Sequence, residues 1–347
     1  MDLIQATSRK RETYQVEFAY SSLWECALGI AAVTNTRLLH TLEQPLPYWQ
    51  ELKDALPSTL LKELDEVEAN NTWKALLQLL HTYSATDLED FLTKIAHISD
   101  QDFKYHCLPF VGESFQKLRK QAAAGEKKAV EQLQEHTIDN PFFPEYIAFI
   151  SSVDATQLKK HLQAVMKGWY EHVVAPKHAE IKQFLERDIQ AKIKMQAQLS
   201  TEELVQWATN GVQYQPEPSV FKVLLIPQLV YRPWTIEADL EGTKVFYYPI
   251  ADESLHPHDR YMPPHLLIQK HKALGDEIRL RMVKLLAEND RTLQEITSRL
   301  DLGKSTVHHH LKLLRAAKLV EIHEMKYRLR IDELKTLHVE LEQFLER

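Results

Sequence analysis

The stretch TLQEITSRLDLGKSTVHHHLKLLRAAKLVEIHEMKYRLRI, residues 292–331, decides how this chain is read. Thr292 with Glu295 three residues on has the form of a capping box. It opens a short helix that carries Leu293, Ile296 and Leu300 on one face. Asp301–Leu302–Gly303 reads as a tight turn. Lys304 to Ala317 then has helical spacing, with Val307, Leu311 and Leu314 facing inward. Leu319–Glu324 and Lys326–Ile331 alternate as a hairpin, Tyr327, Leu329 and Ile331 pointing one way and Lys326, Arg328 and Arg330 the other.

A short helix, a turn, a second helix and a basic ribbon follow in the order of a winged helix-turn-helix. A helix is narrow enough for the DNA major groove, so its inner face must be apolar and its outer face must carry donors. The outer face here is Lys304, Ser305, Thr306, His308, His309, Lys312 and Arg315. Ser305, Thr306, His308 and His309 are assigned to base edges. Lys304, Lys312 and the ribbon's Lys326, Arg328 and Arg330 are assigned mainly to phosphates. A solvated polar face would explain Lys312 or Arg315 taken singly; the ordered set outweighs it. Charge agrees. Residues 265–331 hold 14 Lys and Arg against 8 Asp and Glu, a net +6, within a chain of net charge −7. Residues 332–347 carry −3, which leaves −10 on residues 1–264. A basic segment on an acidic chain is an electrostatic footprint for a polyanion.

KALGDEIRLRMVKLLAE (272–288) and TLQEITSRLDLGKSTVHHHLKLLRAAKLVEI (292–322) resemble the ArsR-type winged-helix repressors, and LGKSTVHHHLKLL is similar to that family's recognition helix. The resemblance spans about 266–347. It implies a homodimer built from the first and last helices of the module, about 265–274 and 332–346, reading two half-sites about 34 Å apart. Leu334, Leu337, Leu341, Phe344 and Leu345 share one face of the last segment. Many members sense metals through Cys on the helix before the recognition helix, and residues 292–300 contain none. Others use Asp and His pairs on the last helix, where this chain offers Asp332, His338 and Glu342 without a second His. No metal site and no cofactor is therefore expected. The ribbon turn Glu324–Met325–Lys326 lacks the family's usual Gly.

Residues 1–250 read as mostly helical. Asp154 precedes Leu158, Leu162, Val165 and Trp169; Ser200 with Glu203 forms a capping box; Ser84 with Asp87 precedes Leu88, Phe91, Leu92, Ile95 and Ile98. Pro176 is placed in the first turn of a charged helix running to about Leu199. Short strands are expected near 14–20 and within 219–250, with a turn at Glu241–Gly242. Residues 251–264, polar and rich in Pro, read as a linker. The fold class is mainly α with minor β: a large helical domain with a small hairpin or sheet, then a winged-helix domain over 265–347. YSSLWECALGIAAV (20–33) and KVLLIPQLVYRPW (222–234) are similar to a poorly characterised helical region ahead of this module in some bacterial regulators. That similarity implies a fused sensor or interaction domain.

Several chemistries are excluded. Gly occurs 8 times, never in a dinucleotide-binding spacing, and Cys26 and Cys107 form no C-x-x-C. The two thiols fit a reducing compartment. GKS at 303–305 has Ser298 where a phosphate loop needs Gly. His308, His309 and His310 diverge by about 100° per residue and cannot meet on one ion; His310 is expected to be packed and hydrogen-bonded. His256, His258, Asp259 and His265 read as solvated linker residues. Gly112–Glu113–Ser114 lacks the second Gly of a nucleophile elbow. Met1–Thr13 has no apolar core of a signal peptide, and no run of 18 apolar residues occurs. Trp24, Trp73, Trp169, Tyr170, Trp207 and Trp234 are candidate pocket aromatics that singly read as core.

The expected protein is a cytoplasmic, homodimeric, sequence-specific regulator of transcription, a repressor, with no catalytic residues. Its N-terminal domain is expected to respond to an apolar small molecule or a protein. The competing expectation is an enzyme or interaction domain fused to an autoregulatory DNA-binding module.

Overall fold

The computed structural model describes residues 14–197, 199–257, 259 and 261–346. Met1–Thr13, His258 and the His265 side chain, named in the sequence readings above, lie outside the described residues. The fold is mainly helical with minor β structure. The chain divides into two compact units, Met1–Pro249 and Ile250–Arg347. The segment read as a linker contains a short helix, Asp252–Leu255.

The first unit is built round the helix Ser22–Thr34. Ser21 caps it by accepting the Leu23 N–H at 3.1 Å. Leu23, Cys26, Leu28, Ile30 and Val33 are all buried, and a helix apolar on every side belongs inside a core. The helices Ser58–Asn70, Trp73–Thr82 and Ala155–Trp169 pack round it. A Cβ at Gly29 would stand 2.6 Å from Trp169 Nε1, so only Gly lets the buried indole approach this closely.

Local signals place several helix starts. Asp154 accepts the Gln157 N–H at 2.8 Å and buries Leu158, Leu162, Val165 and Trp169 behind it. Ser200 and Glu203 form both bonds of their capping box. Leu88–His97 starts differently from expectation: Asp87, not Ser84, is its cap, accepting the Asp90 N–H at 2.9 Å. Asp87 has the extended backbone a cap needs, directly before the first helical residue. Ile98 falls outside this helix in extended backbone. Pro176 also sits elsewhere than expected. The chain leaves Trp169 through a π turn, Tyr170–Val174, and a 3₁₀ turn, Ala175–Lys177, before the helix His178–Gln196. Pro has no N–H for the α-helical bond, so the register changes around it.

The sheet has four strands: β1 (Gln15–Phe18), β2 (Lys222–Gln228), β3 (Ile236–Leu240) and β4 (Thr243–Pro249), in the order β1-β2-β4-β3. β1 and β4 flank β2 in parallel, and β3 joins β4 as a hairpin through Glu241–Gly242. Gly242 takes φ +67°, which favours Gly. The small hairpin expected from sequence is thus one edge of a mixed sheet. Val223, Leu225, Phe246 and Tyr248 face a cluster with Leu204 and Val205; Ile226, Val245 and Tyr247 face the main helical core. Both faces are covered, as parallel strands require.

The loop after β2 returns to the central helix. Glu25, 8% exposed, accepts the Leu229 N–H at 3.0 Å. Gln228 braces the loop from within, bonding Trp234 and Tyr231 at 2.9 and 2.7 Å. Arg232 pairs with Glu43 at 2.7 Å. Of the candidate pocket aromatics, Trp169 lies in the main core with Trp24, Trp73, Tyr170 and Trp234 packed against it, Trp234 also bonding Thr41, whereas Trp207 is 41% exposed.

Candidate nucleic-acid interface

In the second unit, Asp276 caps the helix Glu277–Glu288 by accepting the Arg279 N–H at 3.0 Å, which holds its carboxyl below the usual range. Thr292 and Glu295 close their capping box round the start of Leu293–Leu300. Asp301 makes the following turn with φ +54°. Gly303, with φ −63°, begins the next helix instead of supplying the left-handed residue. Asp tolerates that conformation better than most residues. Lys304–Ala316 then packs Val307, Leu311 and Leu314 against Met282, Leu285, Leu286 and Ile296.

The outward side of Lys304–Ala316 carries the residues expected there. Lys304, Ser305, Thr306, His308, His309 and Arg315 are exposed, and Lys312 is half-buried. Burial and then Arg315 lower the Lys312 ammonium from its ordinary value. At about 100° per residue, Ser305, His309 and Lys312 fall within about 60° of one another, opposite the Val307–Leu311–Leu314 seam. Lys304, His308 and Arg315 form a second stripe beside them. Thr306 lies towards the other flank. His310 is packed, as expected, but its Nδ1 makes no hydrogen bond among the described residues and stands 3.8 Å from Asp276. Burial lowers its pKa.

The ribbon consists of β5 (Val320–His323) and β6 (Lys326–Leu329), antiparallel, with His323 opposite Lys326. The two-residue turn Glu324–Met325 takes φ +48° and +64°, the primed turn that suits a twisted hairpin, here without Gly. β6 is also bridged to Arg291, whose N–H and carbonyl both bond Tyr327. Lys326 is exposed. Arg328 is bound to Asp290 at 2.8 Å with its side chain 41% exposed. Arg330 differs from the expected outward donor: 16% exposed, it is held by Glu333 at 3.0 Å and Glu321 at 3.8 Å. Ile331 is 48% exposed instead of pointing inward, because the helix Ile331–Leu345 begins there. Leu280, on the helix Glu277–Glu288, is 49% exposed.

Lys270 has no local sequence signal. It is fully buried on the helix His265–Leu274 and binds Glu333 and Glu340 at 2.7 and 2.6 Å, tying the first helix of the unit to the last. Nothing local marks that long-range pairing.

Residues 276–321 match the family model for the bacterial regulatory protein, arsR family. The second unit therefore contains an arsR-family helix-turn-helix domain, which points to DNA-binding regulation of transcription. The arsR-family match covers the capped helix 277–288, the helix-turn-helix and the first residues of β5; it does not reach the helical unit. No curated protein and no solved structure matches the chain. Among the described residues, no helix is long and apolar enough to cross a membrane.

Proposed function

We propose that this chain is a cytoplasmic, homodimeric, sequence-specific repressor of the ArsR type, with a sensor in its helical unit. The observation that carries the DNA reading is the outward face of Lys304–Ala316, polar and basic, on a helix whose opposite seam is fully buried. Ser305 and His309 stand at its centre and meet base edges, with Thr306 and His308 on either side. Lys304, Lys312, Arg315 and the ribbon's Lys326 neutralise phosphates. Arg328 reaches phosphate by exchanging Asp290 for it, and Arg330 stays within the protein.

The dimer reading rests on the helix Ile331–Leu345, none of whose residues is buried. On its apolar face Leu334, Leu337, Leu341 and Phe344 are only half-buried, and Leu345 is exposed. A second copy would cover this apolar face. Capturing genomic fragments with the full chain and footprinting them tests the proposal. Two protected half-sites about one helical turn apart support it, and a single unpaired site refutes the dimer. Increased transcription from the captured promoter when the protein is removed supports repression; decreased transcription refutes it.

The helical unit is read as non-catalytic. Thr72, His161 and Glu63 form a hydroxyl–imidazole–carboxylate relay, but Thr72 is fully buried and out of reach of a substrate. The relay ties the helix Ala155–Trp169 to Ser58–Asn70 and to the turn before Trp73.

A further inference from the structure

We propose that Lys74, at a ring-walled site in the helical unit, captures an aldehyde with an aromatic body as an imine. Lys74 is the second residue of the helix Trp73–Thr82. Its Nζ stands over three rings, at 4.0 Å from the centroid of Trp73, 4.8 Å from that of Phe142 and 5.4 Å from that of Phe143. Asn140 fixes the backbone that carries two of these rings: its Oδ1 accepts the N–H of Phe142 at 3.0 Å and that of Phe143 at 3.1 Å.

The ammonium has no counter-charge. Among the described residues it makes no hydrogen bond and no ion pair. Four other covered lysines, Lys159, Lys192, Lys244 and Lys270, each reach a carboxylate, at 2.8, 3.8, 3.0 and 2.7 Å. The start of a helix is its positive end, which disfavours a cation there. Ring faces return only part of the hydration that a covered ammonium loses. Burial accordingly lowers the Lys74 amine from 10.5 to about 8. At about pH 7.5 roughly a quarter of it is the free base, against about one part in a thousand for an ordinary lysine.

A desolvated lysine amine is a nucleophile towards carbonyl carbon. The Nζ lone pair attacks that carbon, a C–N bond forms, and the carbonyl oxygen leaves as water with the two Nζ hydrogens. The product is a neutral imine, which suits an apolar enclosure that gives an ammonium no partner. The rings select an aromatic body, and Phe142, 40% exposed, offers an uncovered face for it. Phe143 also lines a cleft of about 460 Å³, so open space adjoins the ring wall; Glu113, Asp139, Glu217 and Asp239 round that cleft disfavour an anionic ligand.

The use of this capture as a signal rests on the sensor reading of the helical unit; the reactivity of Lys74 does not. The test incubates the full chain with benzaldehyde at about pH 7.5, adds cyanoborohydride to reduce any imine to a stable amine, and follows each lysine by peptide mass spectrometry. Lys74 is expected to be labelled at least about tenfold faster than the exposed Lys120, and acetaldehyde, which lacks a ring, is expected to lose that preference. Phe142→Ala is expected to slow the labelling of Lys74 about threefold and to leave Lys120 unchanged. Lys74→Arg, which keeps the charge, is expected to lose the adduct with an unchanged melting curve. Labelling of Lys74 no faster than that of Lys120, the same preference with both aldehydes, or full Lys74 reactivity in Phe142→Ala would overturn the proposal. A DNA titration of the labelled chain beside Lys74→Arg treated in the same way separates the two readings: an adduct at Lys74 that leaves DNA affinity unchanged refutes the sensor and upholds the capture.

Discussion

Replacing Glu25 by Gln should change how the stability of the helical unit depends on pH. Glu25 is buried where the central helix meets the loop after β2, and its carboxylate accepts the amides of Leu229 and Val230. Burial outweighs those two bonds and raises its pKa from the ordinary 4.5 to about 7. The folded state therefore holds a proton that the unfolded chain has already lost. This contribution to stability is fully present below about pH 4.5 and is lost as pH rises towards 7. The shift corresponds to roughly 3 kcal/mol, at about 1.4 kcal/mol for each pH unit. His81 acts in the opposite sense: burial lowers its pKa to about 4, so its share is present above 6.5 and is lost as pH falls. Only the difference between the parent and Glu25→Gln isolates Glu25. All six Trp residues lie in the first unit, so urea unfolding followed by Trp fluorescence reads that unit alone. Between pH 4.5 and 8 the parent should lose about 3 kcal/mol relative to Glu25→Gln. Parallel stability curves for the two proteins would show that Glu25 takes up no proton on folding.

Gly29→Ala should lower the stability of the helical unit by roughly 1–2 kcal/mol in the same urea experiment, because the new methyl meets the buried Trp169 indole and outweighs Ala's better helix propensity. Met325→Gly should stabilise the second unit by about 1 kcal/mol, since Met325 is 86% exposed and holds φ +64° with no packing to lose; calorimetry of the full chain would register it as a higher melting temperature for that unit. Lys304→Ala should weaken binding uniformly across DNA sequences and reduce the salt slope by about one unit, whereas His309→Ala should cost about 1–3 kcal/mol at one base position and relax preference there, as anisotropy titrations against a duplex library would show.

The elements legible in the sequence are those whose cause is local. Asp154, the Ser200–Glu203 box and the Thr292–Glu295 box each lie within three residues of the amide they satisfy, so a short reading window contains the whole interaction. The seam Val307–Leu311–Leu314 is legible for the same reason. β1 pairs with β2 across some two hundred residues, and no local pattern carries that register. Alternation likewise placed Arg328 and Arg330 on the outer side of the ribbon without disclosing Asp290, Glu321 or Glu333 opposite them. Clefts are the least legible features. Glu113, Asp139, Glu217 and Asp239 come from four separate segments, and only the folded helical unit brings them round one cleft.

The central claim is that the helix Lys304–Ala316 reads duplex DNA through its outward face. Its most direct test is fluorescence anisotropy of a labelled, genome-selected duplex titrated with the full chain over a series of salt concentrations, beside Ser305→Ala and His309→Ala. Tight binding is expected at low salt, with a linear fall of log affinity with log salt whose slope is about −0.9 per neutralised phosphate, and reduced discrimination against unrelated duplex in both variants. No measurable affinity at about 50 mM salt, or discrimination identical to the parent in both variants, would contradict it.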